Sequence, residues 1–214
     1  FNIKSNTIIN QQKIKQISSA SKKLPFIKEI KPPEILFTKD STFLYLYLNK
    51  KQNNSFEGII GFTSKENGAL LFNGNIDLSL NNILDKGEKI ELFWNSIGEE
   101  RQEFKLSAEI PYMLSTKFSS QIAFSIYKQD STFLSTKFDS KLIYDINPKT
   151  KFGFTYNSET SENLKTNLTN NIESFHNYFF GFQFQYSIPK NDFFLNNKFY
   201  LELNPTFGKR KNKN

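Results

Sequence analysis

Few side chains in this sequence have the chemistry of a catalyst. His176 is the one histidine among 214 residues, and it lies between Phe175 and Asn177 in a polar stretch. A single histidine in such a setting is more often a surface or interfacial residue than a metal ligand. There is no cysteine, so the chain has no thiolate nucleophile and no disulfide framework. Absence of cysteine fits an oxidising and a reducing compartment equally well.

Carboxylates are the other candidates, because two of them can act together as general acid and general base. By two-residue alternation, Glu91, Glu103 and Glu109 share a strand face with Lys89 and Lys105. A network of ion pairs on that face is the simpler interpretation. We therefore expect no enzyme, and no catalytic, cofactor or metal site.

These charges belong to three consecutive alternating segments between residues 70 and 111. Successive side chains on a strand point to opposite faces, so each segment is predicted to be a strand with one apolar and one polar face. The apolar residues of the three segments are Phe72, Ile76, Leu78 and Leu80; Ile90, Leu92 and Trp94; and Phe104, Leu106, Ala108 and Ile110.

The same alternation continues along the chain and predicts about nine strands after Ser55. Roughly seven to twelve residues long, they approach the ~9 to 11 residues of a tilted membrane-crossing strand. Beyond the three segments above, they are predicted at 56–63, 117–127, 136–144, 151–157, 178–186 and 197–204.

The predicted connections differ in length on the two sides of the sheet. Compact turn residues stand at 85–87, 111–112, 147–148 and 189–191, whereas residues 157–177 form a long connection rich in Ser, Thr, Asn and Glu. Short turns on one side and long loops on the other are typical of outer-membrane β-barrels.

Composition excludes some classes and leaves others open. The net charge is +7, but 26 of the 28 basic residues are lysine, whereas nucleic-acid recognition favours arginine, so we expect no nucleic-acid partner. The basic tail at 208–214 is expected to be a loop or frayed end. Mean hydropathy is −0.53 and no apolar run reaches the ~18 to 20 residues of a membrane helix.

A soluble β-sandwich or lipocalin-like barrel also has alternating strands, with the apolar face turned inward. Two features favour the membrane alternative. The apolar faces repeat the large residues Phe, Leu and Ile, and aromatic residues cluster near strand ends as in an interfacial girdle. The girdle candidates are Tyr112, Tyr127, Phe133, Tyr144, Phe193 and Phe194.

The first fifty residues have a different pattern. Ile14, Ile17, Ala20 and Leu24 are spaced as on one face of a helix running from about residue 10 to residue 24. Pro25 ends that helix, and Pro32-Pro33 keeps the next segment extended. Residues 34–38 and 42–49 are then predicted to pair as a hairpin. The result is a small α+β module at 1–54, closed by a polar hinge at 50–54.

Several segments, in order, resemble the BamA/TamA outer-membrane assembly superfamily. Residues 45–62, YLYLNKKQNNSFEGIIGF, are similar to that family's junction between its last POTRA module and its barrel. Residues 82–88, NILDKGE, resemble its N-L-L-G-x-G-E turn, with Asp85 in place of the usual glycine. Trp94, residues 110–112 and 129–131, and residues 24–30 are similar to further family motifs.

The resemblance implies a mainly β protein: an antiparallel transmembrane β-barrel at 55–214 after a POTRA-like module at 1–54. With about nine strands, it would be the front portion of a sixteen-stranded barrel, because the family's V-R-G-[FY] motif and closing strand have no counterpart here. The implied location is the bacterial outer membrane, with the module in the periplasm. The implied partners are the lipid bilayer, client polypeptides, and periplasmic chaperones or accessory lipoproteins.

The implied function is insertion or translocation of polypeptides, either as barrel assembly or as dedicated export. A diffusion porin or small-solute transporter, and a structural or adhesive surface barrel, remain alternatives that the module at 1–54 disfavours. In the resembling family, client strands add at a weak seam beside the first barrel strand. The candidate seam residues here are Phe56, Gly58, Ile60, Gly61 and Phe62. The alternative is that the two glycines only relieve crowding where the barrel bends.

Overall fold

The computed structural model describes residues 3, 8–22, 24, 26–51, 53–65, 67–130, 132–164, 174–189 and 197–213. Within them one α-helix is followed by strands, with a short 3-10 helix at Met113–Ser115. No helix in this part of the chain is long and apolar enough to span a bilayer. The elements are α1 (Gln11–Lys22), β1 (Ile27–Phe37), β2 (Thr42–Lys50), β3 (Ser55–Ser64), β4 (Leu70–Asn81), β5 (Lys89–Ile97), β6 (Arg101–Ile110), β7 (Phe118–Gln129), β8 (Phe133–Asn147), β9 (Thr150–Asn163), β10 (Ser174–Pro189), β11 (Asn197–Leu203) and β12 (Thr206–Lys213).

The predicted N-terminal helix is confirmed as α1. Asn10 caps it, because the backbone N–H of Lys13 donates to the Asn10 Oδ1 at 2.8 Å. Ile17 is buried on the inner face of the helix, with only 3% of its surface exposed. Strands β1 and β2 pair as the predicted hairpin, which extends further than expected. Its register shifts between residues 29 and 34, where proline removes two backbone donors.

A polar contact ties α1 to β1. The Ser18 and Ser21 hydroxyls donate to the Glu29 carboxylate at 2.7 and 2.8 Å. Burial raises the pKa of Glu29, but these two hydrogen bonds and the charge of Lys22 outweigh burial and hold it below its usual value. A charged Glu29 is therefore part of how the helix is held on the hairpin.

The remaining strands form one ten-stranded antiparallel sheet in chain order from β3 to β10. β11 pairs with residues 184–189 of β10, and β12 pairs with residues 174–181 of the same strand edge. Between them the Phe182 N–H donates to the Pro205 carbonyl at 3.1 Å. β11 and β12 thus act as one strand interrupted near Pro205, and the nine predicted strand positions are all occupied.

Two expectations from the sequence were wrong. The tail predicted at 208–214 as a loop or frayed end is a strand over its described residues, because β12 pairs residues 208–213 in register with β10. The long connection at 157–177 is shorter than predicted, since β9 runs to Asn163 and β10 begins at Ser174. The ladder between β9 and β10 extends to Phe175, so polar residues of both strands are paired here. Pro25, residues 190–191, Phe193 and Phe194 lie outside the described residues.

The sheet has two free edges among the described residues. β3 pairs only with β4, and the strand formed by β11 and β12 pairs only with β10. The described strands therefore do not close into a barrel among themselves; the sequence predicted only the front portion of a larger one. The domain boundary at residues 54 and 55 stays a prediction.

Candidate membrane-facing surface and open strand edge

The strand register assembles the apolar residues of every strand onto one face of the sheet. Residues directly opposite in an antiparallel ladder share a face, and the pairs Leu78–Leu92, Leu92–Leu106 and Leu106–Phe124 continue from strand to strand. We call this surface the apolar face. Its large members are Phe56, Ile60 and Phe62; Leu70, Phe72, Ile76, Leu78 and Leu80; Ile90, Leu92 and Trp94; Phe104, Leu106 and Ile110; Phe118, Ile122, Phe124 and Ile126; Leu134, Phe138, Leu142 and Tyr144; Phe152, Phe154 and Tyr156; Tyr178, Phe180, Phe182, Phe184, Tyr186 and Ile188; and Phe199, Leu201, Leu203 and Phe207.

The apolar face is exposed rather than buried. Phe72 is 55% exposed, Leu106 40% and Leu203 53%, so exposure extends from one edge of the sheet to the other. The one buried hydrophobic residue in the described part of the chain is Ile17, in α1. A soluble sandwich or lipocalin-like barrel would bury this face, so the exposure argues against that alternative. A continuous apolar surface of this kind requires an apolar partner.

Aromatic side chains contact one another along the apolar face. Phe154 lies 6.2 Å from Phe180 and 6.0 Å from Phe182 between ring centroids, and Tyr156 lies 5.0 Å from Phe180. Near the turns, Phe118 and Tyr144 are 4.9 Å apart. Such pairs stabilise neighbouring strands in addition to their burial. Part of the predicted girdle is wrong, however. Tyr127 lies opposite Ser135 and Phe133 opposite Gln129, which puts both aromatic residues on the polar face.

The polar face carries the ion pairs expected from the sequence. Lys89 and Glu91 are 2.5 Å apart, and Lys105 and Glu103 2.6 Å apart. Every buried residue in the described parts of β8, β9 and β10 also lies on this face: Ser135, Gly153, Thr155, Ser161 and Gly181. A shallow concavity of about 360 Å³ opens on the same side, between β4 and β8. The polar face is therefore the more enclosed one, as in a barrel with a polar interior.

The predicted seam residues all lie on β3. Phe56, Gly58, Ile60 and Phe62 are on the apolar face, and Gly61 is on the polar face. Phe56 and Phe62 are each 69% exposed, and no residue of β3 is buried. Since β3 pairs only with β4, its outer row of backbone N–H and C=O groups is free within the described residues. The structure brings the seam residues together on an open edge.

The glycine that this edge requires is Gly74 of β4, a residue that no sequence motif indicated. Gly74 lies opposite Ile60 and has a φ of +138°, so an added Cβ would overlap the Ile59 carbonyl oxygen. At Gly58 a Cβ would stand 3.2 Å from the Asn75 oxygen, and at Gly61 4.0 Å from the Asn73 oxygen. The available signal was an isolated glycine inside an alternating strand.

The turn at 82–88 joins the sheet to the N-terminal module. The Asn82 Oδ1 accepts from the Gly87 N–H at 2.9 Å, and its Nδ2 donates to the Phe26 carbonyl at 3.5 Å. Gly87 has a φ of +77°, and a Cβ there would overlap the Phe26 ring. Lys50 forms an ion pair with Asp85 across the same junction. The module therefore contacts the side of the sheet that carries the short turns.

The buried side chain of Glu88 stabilises this turn by hydrogen bonds to its backbone. It is only 5% exposed, and its carboxylate accepts from the Leu84 and Lys86 N–H groups. Burial raises the pKa of Glu88, but hydrogen bonds from the backbone at Leu84, Glu88, Lys86 and Ile83 outweigh burial and lower it. A buried anion compensated by backbone donors fixes the turn's shape. The sequence indicated a compact turn without showing this role.

No cluster of three or more metal-binding side chains occurs in the described part of the chain. His176 was expected in a loop, but it lies in β10, where its Nδ1 is 2.8 Å from the Thr160 Oγ1. The absence of enzymatic activity stays a prediction.

Comparisons with known proteins give only weak structural likeness. No family model matches the sequence, and no curated protein matches it. Among solved structures, the chain is similar to BamA from Haemophilus ducreyi lacking POTRA domains 1–3, at 11% identity and a TM-score of 0.44. The alignment covers 92% of this chain and 49% of that chain, so this chain spans about half of its length. A similarity this low establishes neither a family nor a function.

Proposed function

We propose that the sheet from β3 to β12 lies in the bacterial outer membrane as part of a β-barrel. In this proposal the chain inserts or translocates polypeptides that pair with the open edge of β3. The N-terminal module stands in the periplasm, where it meets clients and any chaperones or accessory lipoproteins. The observation that carries the proposal is the exposed apolar face, which continues across all nine strand positions to the free edge of β3.

The dimensions of the apolar face support a bilayer as its partner. On β7 the apolar residues run from Phe118 to Ile126, which at about 3.3 Å per residue spans roughly 26 Å along the strand. Membrane strands tilt by about 35 to 45°, so this stretch corresponds to about 20 Å across the bilayer, which is most of the roughly 25 Å apolar band of outer-membrane barrels. Beyond Ile126 the next residue on this face is Lys128, so the apolar stretch ends at a charge.

The free edges support pairing with further strands. A strand edge in hydrocarbon leaves backbone groups without hydrogen bonds, which costs several kcal/mol per group. The free backbone groups of β3 must therefore form hydrogen bonds either with another strand of the barrel or with a client strand. The exposed Phe56 and Phe62 offer such a strand apolar neighbours on the lipid side.

Single cysteines placed along β3 test this role, since the chain has no cysteine of its own. Cysteines at Phe56, Ile60 and Phe62 in the full chain are expected to crosslink to a client strand during assembly. Cysteines at Phe118, Ile122 and Ile126 are the matched control, because β7 is paired on both sides. Equal crosslinking on both strands, or none on either, would contradict the proposed client edge.

A further inference from the structure

The end of β12 carries two lysines that continue the apolar face. Phe207 lies opposite Phe180 on that face and is 69% exposed. The next residues on the same side are Lys209, opposite Tyr178, and Lys211, opposite His176. Both lysines are exposed. The surface thus changes from aromatic to cationic within two residues, and we call Lys209 and Lys211 the basic rim.

The basic rim differs from the lysines of the polar face. There Lys105 pairs with Glu103 and Lys137 pairs with Glu159, at 2.6 and 3.1 Å. None of the ion pairs in the described residues includes Lys209 or Lys211. Lys105 and Lys137 are thus paired with carboxylates of the same face, whereas Lys209 and Lys211 have no such partner in the ion pairs of the described residues.

Side chains around the rim provide hydrogen-bonding groups, and one contact fixes the end of β12. Tyr178 and His176 of β10 lie directly beside the two lysines, and the next strand, β9, carries Ser158 and Thr160 on the same face. On the other face the Arg210 guanidinium lies 4.1 Å from the centre of the Phe175 ring, and its Nε donates to Asn212 at 3.2 Å. This contact holds the strand end that presents both lysines.

The position of the rim along the strands identifies the leaflet. The module contacts the turn at 82–88, on the side of the short turns. The rim lies at the other end of the sheet, near the start of β10 and the end of β12. If the module is periplasmic, as proposed above, the rim stands at the outer leaflet, whose characteristic lipid is a phosphorylated glycolipid.

We propose that Lys209 and Lys211 bind the phosphate groups of a lipid A-type glycolipid whose acyl chains lie against the adjoining Phe180 and Phe207. Lysine binds phosphate as a point charge, and the neighbouring hydroxyl groups suit a sugar headgroup. This inference rests on the proposed membrane location. Lysines on an edge strand also discourage unwanted strand pairing, and that role predicts no preference among lipids.

The test measures binding of fluorescent bisphosphorylated lipid A to the full chain in detergent. The Lys209→Gln/Lys211→Gln variant is expected to bind about thirty-fold more weakly than wild type. The Lys105→Gln/Lys137→Gln variant removes the same charge from the polar face and is expected to bind within about twofold of wild type. A Lys209→Arg/Lys211→Arg variant keeps the charge and is expected to keep the binding.

Lipid A without phosphates and phosphatidylglycerol are the comparison probes, and both are expected to bind wild type at least tenfold more weakly. Wild-type affinity in the Lys209→Gln/Lys211→Gln variant would overturn the inference, and so would equal affinity for phosphatidylglycerol and lipid A. Insertion into phosphatidylcholine vesicles separates the two proposals. A rim variant that inserts normally and keeps its lipid A affinity rejects the rim alone, whereas failure of wild type to insert rejects the membrane location.

Discussion

A lysine at position 106 distinguishes lipid from water on the apolar face. Leu106 lies midway along the apolar part of β6, opposite Leu92 and Phe124, and is 40% exposed. Ile110 lies at the turn end of the same strand and is 37% exposed. In water, two sites with such similar exposure would respond alike to a charge, because surface substitutions change stability by about 0.5 kcal/mol or less.

In a bilayer the two sites differ in depth. A lysine near the midplane costs about 2 to 4 kcal/mol, and near the interface about 0 to 1 kcal/mol. We therefore expect Leu106→Lys to destabilise the protein by about 2 kcal/mol more than Ile110→Lys. Ser107→Lys, on the polar face 3.4 Å from the Glu91 carboxylate, is expected to change stability by about 0.5 kcal/mol or less.

Denaturant unfolding of the full chain from lipid vesicles measures these differences. The three substitutions lie in the same strand and are measured in the same assay, so their unfolding free energies can be compared without knowing the absolute stability of the protein. Equal costs at 106 and 110 would refute a depth-dependent apolar environment. A larger cost at Ser107 than at Leu106 would reverse the assignment of the two faces.

Further predictions concern the turn at 82–88 and the open edge. Glu88→Gln is expected to cost about 1 to 2 kcal/mol at neutral pH. The pKa of Glu88 in the folded protein lies below its ordinary value of 4.5, so its stabilising contribution is full above pH 4.5 and is lost as the pH falls below 4.5. A difference in unfolding free energy between wild type and Glu88→Gln that stayed constant in urea down to about pH 3 would contradict this. Gly74→Ala is expected to cost about 1 to 3 kcal/mol and to speed amide hydrogen exchange in β3, with Gly61→Ala as the tolerated control. Similar exchange in both variants would refute the role of Gly74.

The strands were predictable from sequence because their signal is local. Two-residue alternation in segments such as 104–110 identifies both the strand and its apolar face. An antiparallel ladder then joins faces of the same kind, since a slip by one residue would turn the apolar face of one strand toward the polar face of the next, for example Leu106 toward Glu91. The alternation in sequence therefore predicts a single apolar face, whereas only the structure shows that this face is exposed.

Other features depend on contacts between distant residues. Residues 208–213 alternate no apolar side chains, and they are a strand because β10 supplies their partners. His176 was assigned to a loop for the same reason, as polar residues at the ends of long strands resemble a connection. The close approach of Gly87 to Phe26 joins residues far apart in sequence, and no local pattern encodes it.

Accessibility along β6 tests the membrane placement of the sheet most directly. Single cysteines at each position from 102 to 109 would carry a spin label in the full chain reconstituted in vesicles. Collision rates with oxygen, which concentrates in lipid, and with a water-soluble nickel chelate would be measured at each site. We predict a two-residue period, with oxygen favoured at 104, 106 and 108 and the chelate at 103, 105 and 107. Access of the chelate to both sets, or the opposite phase, would contradict an apolar face in lipid.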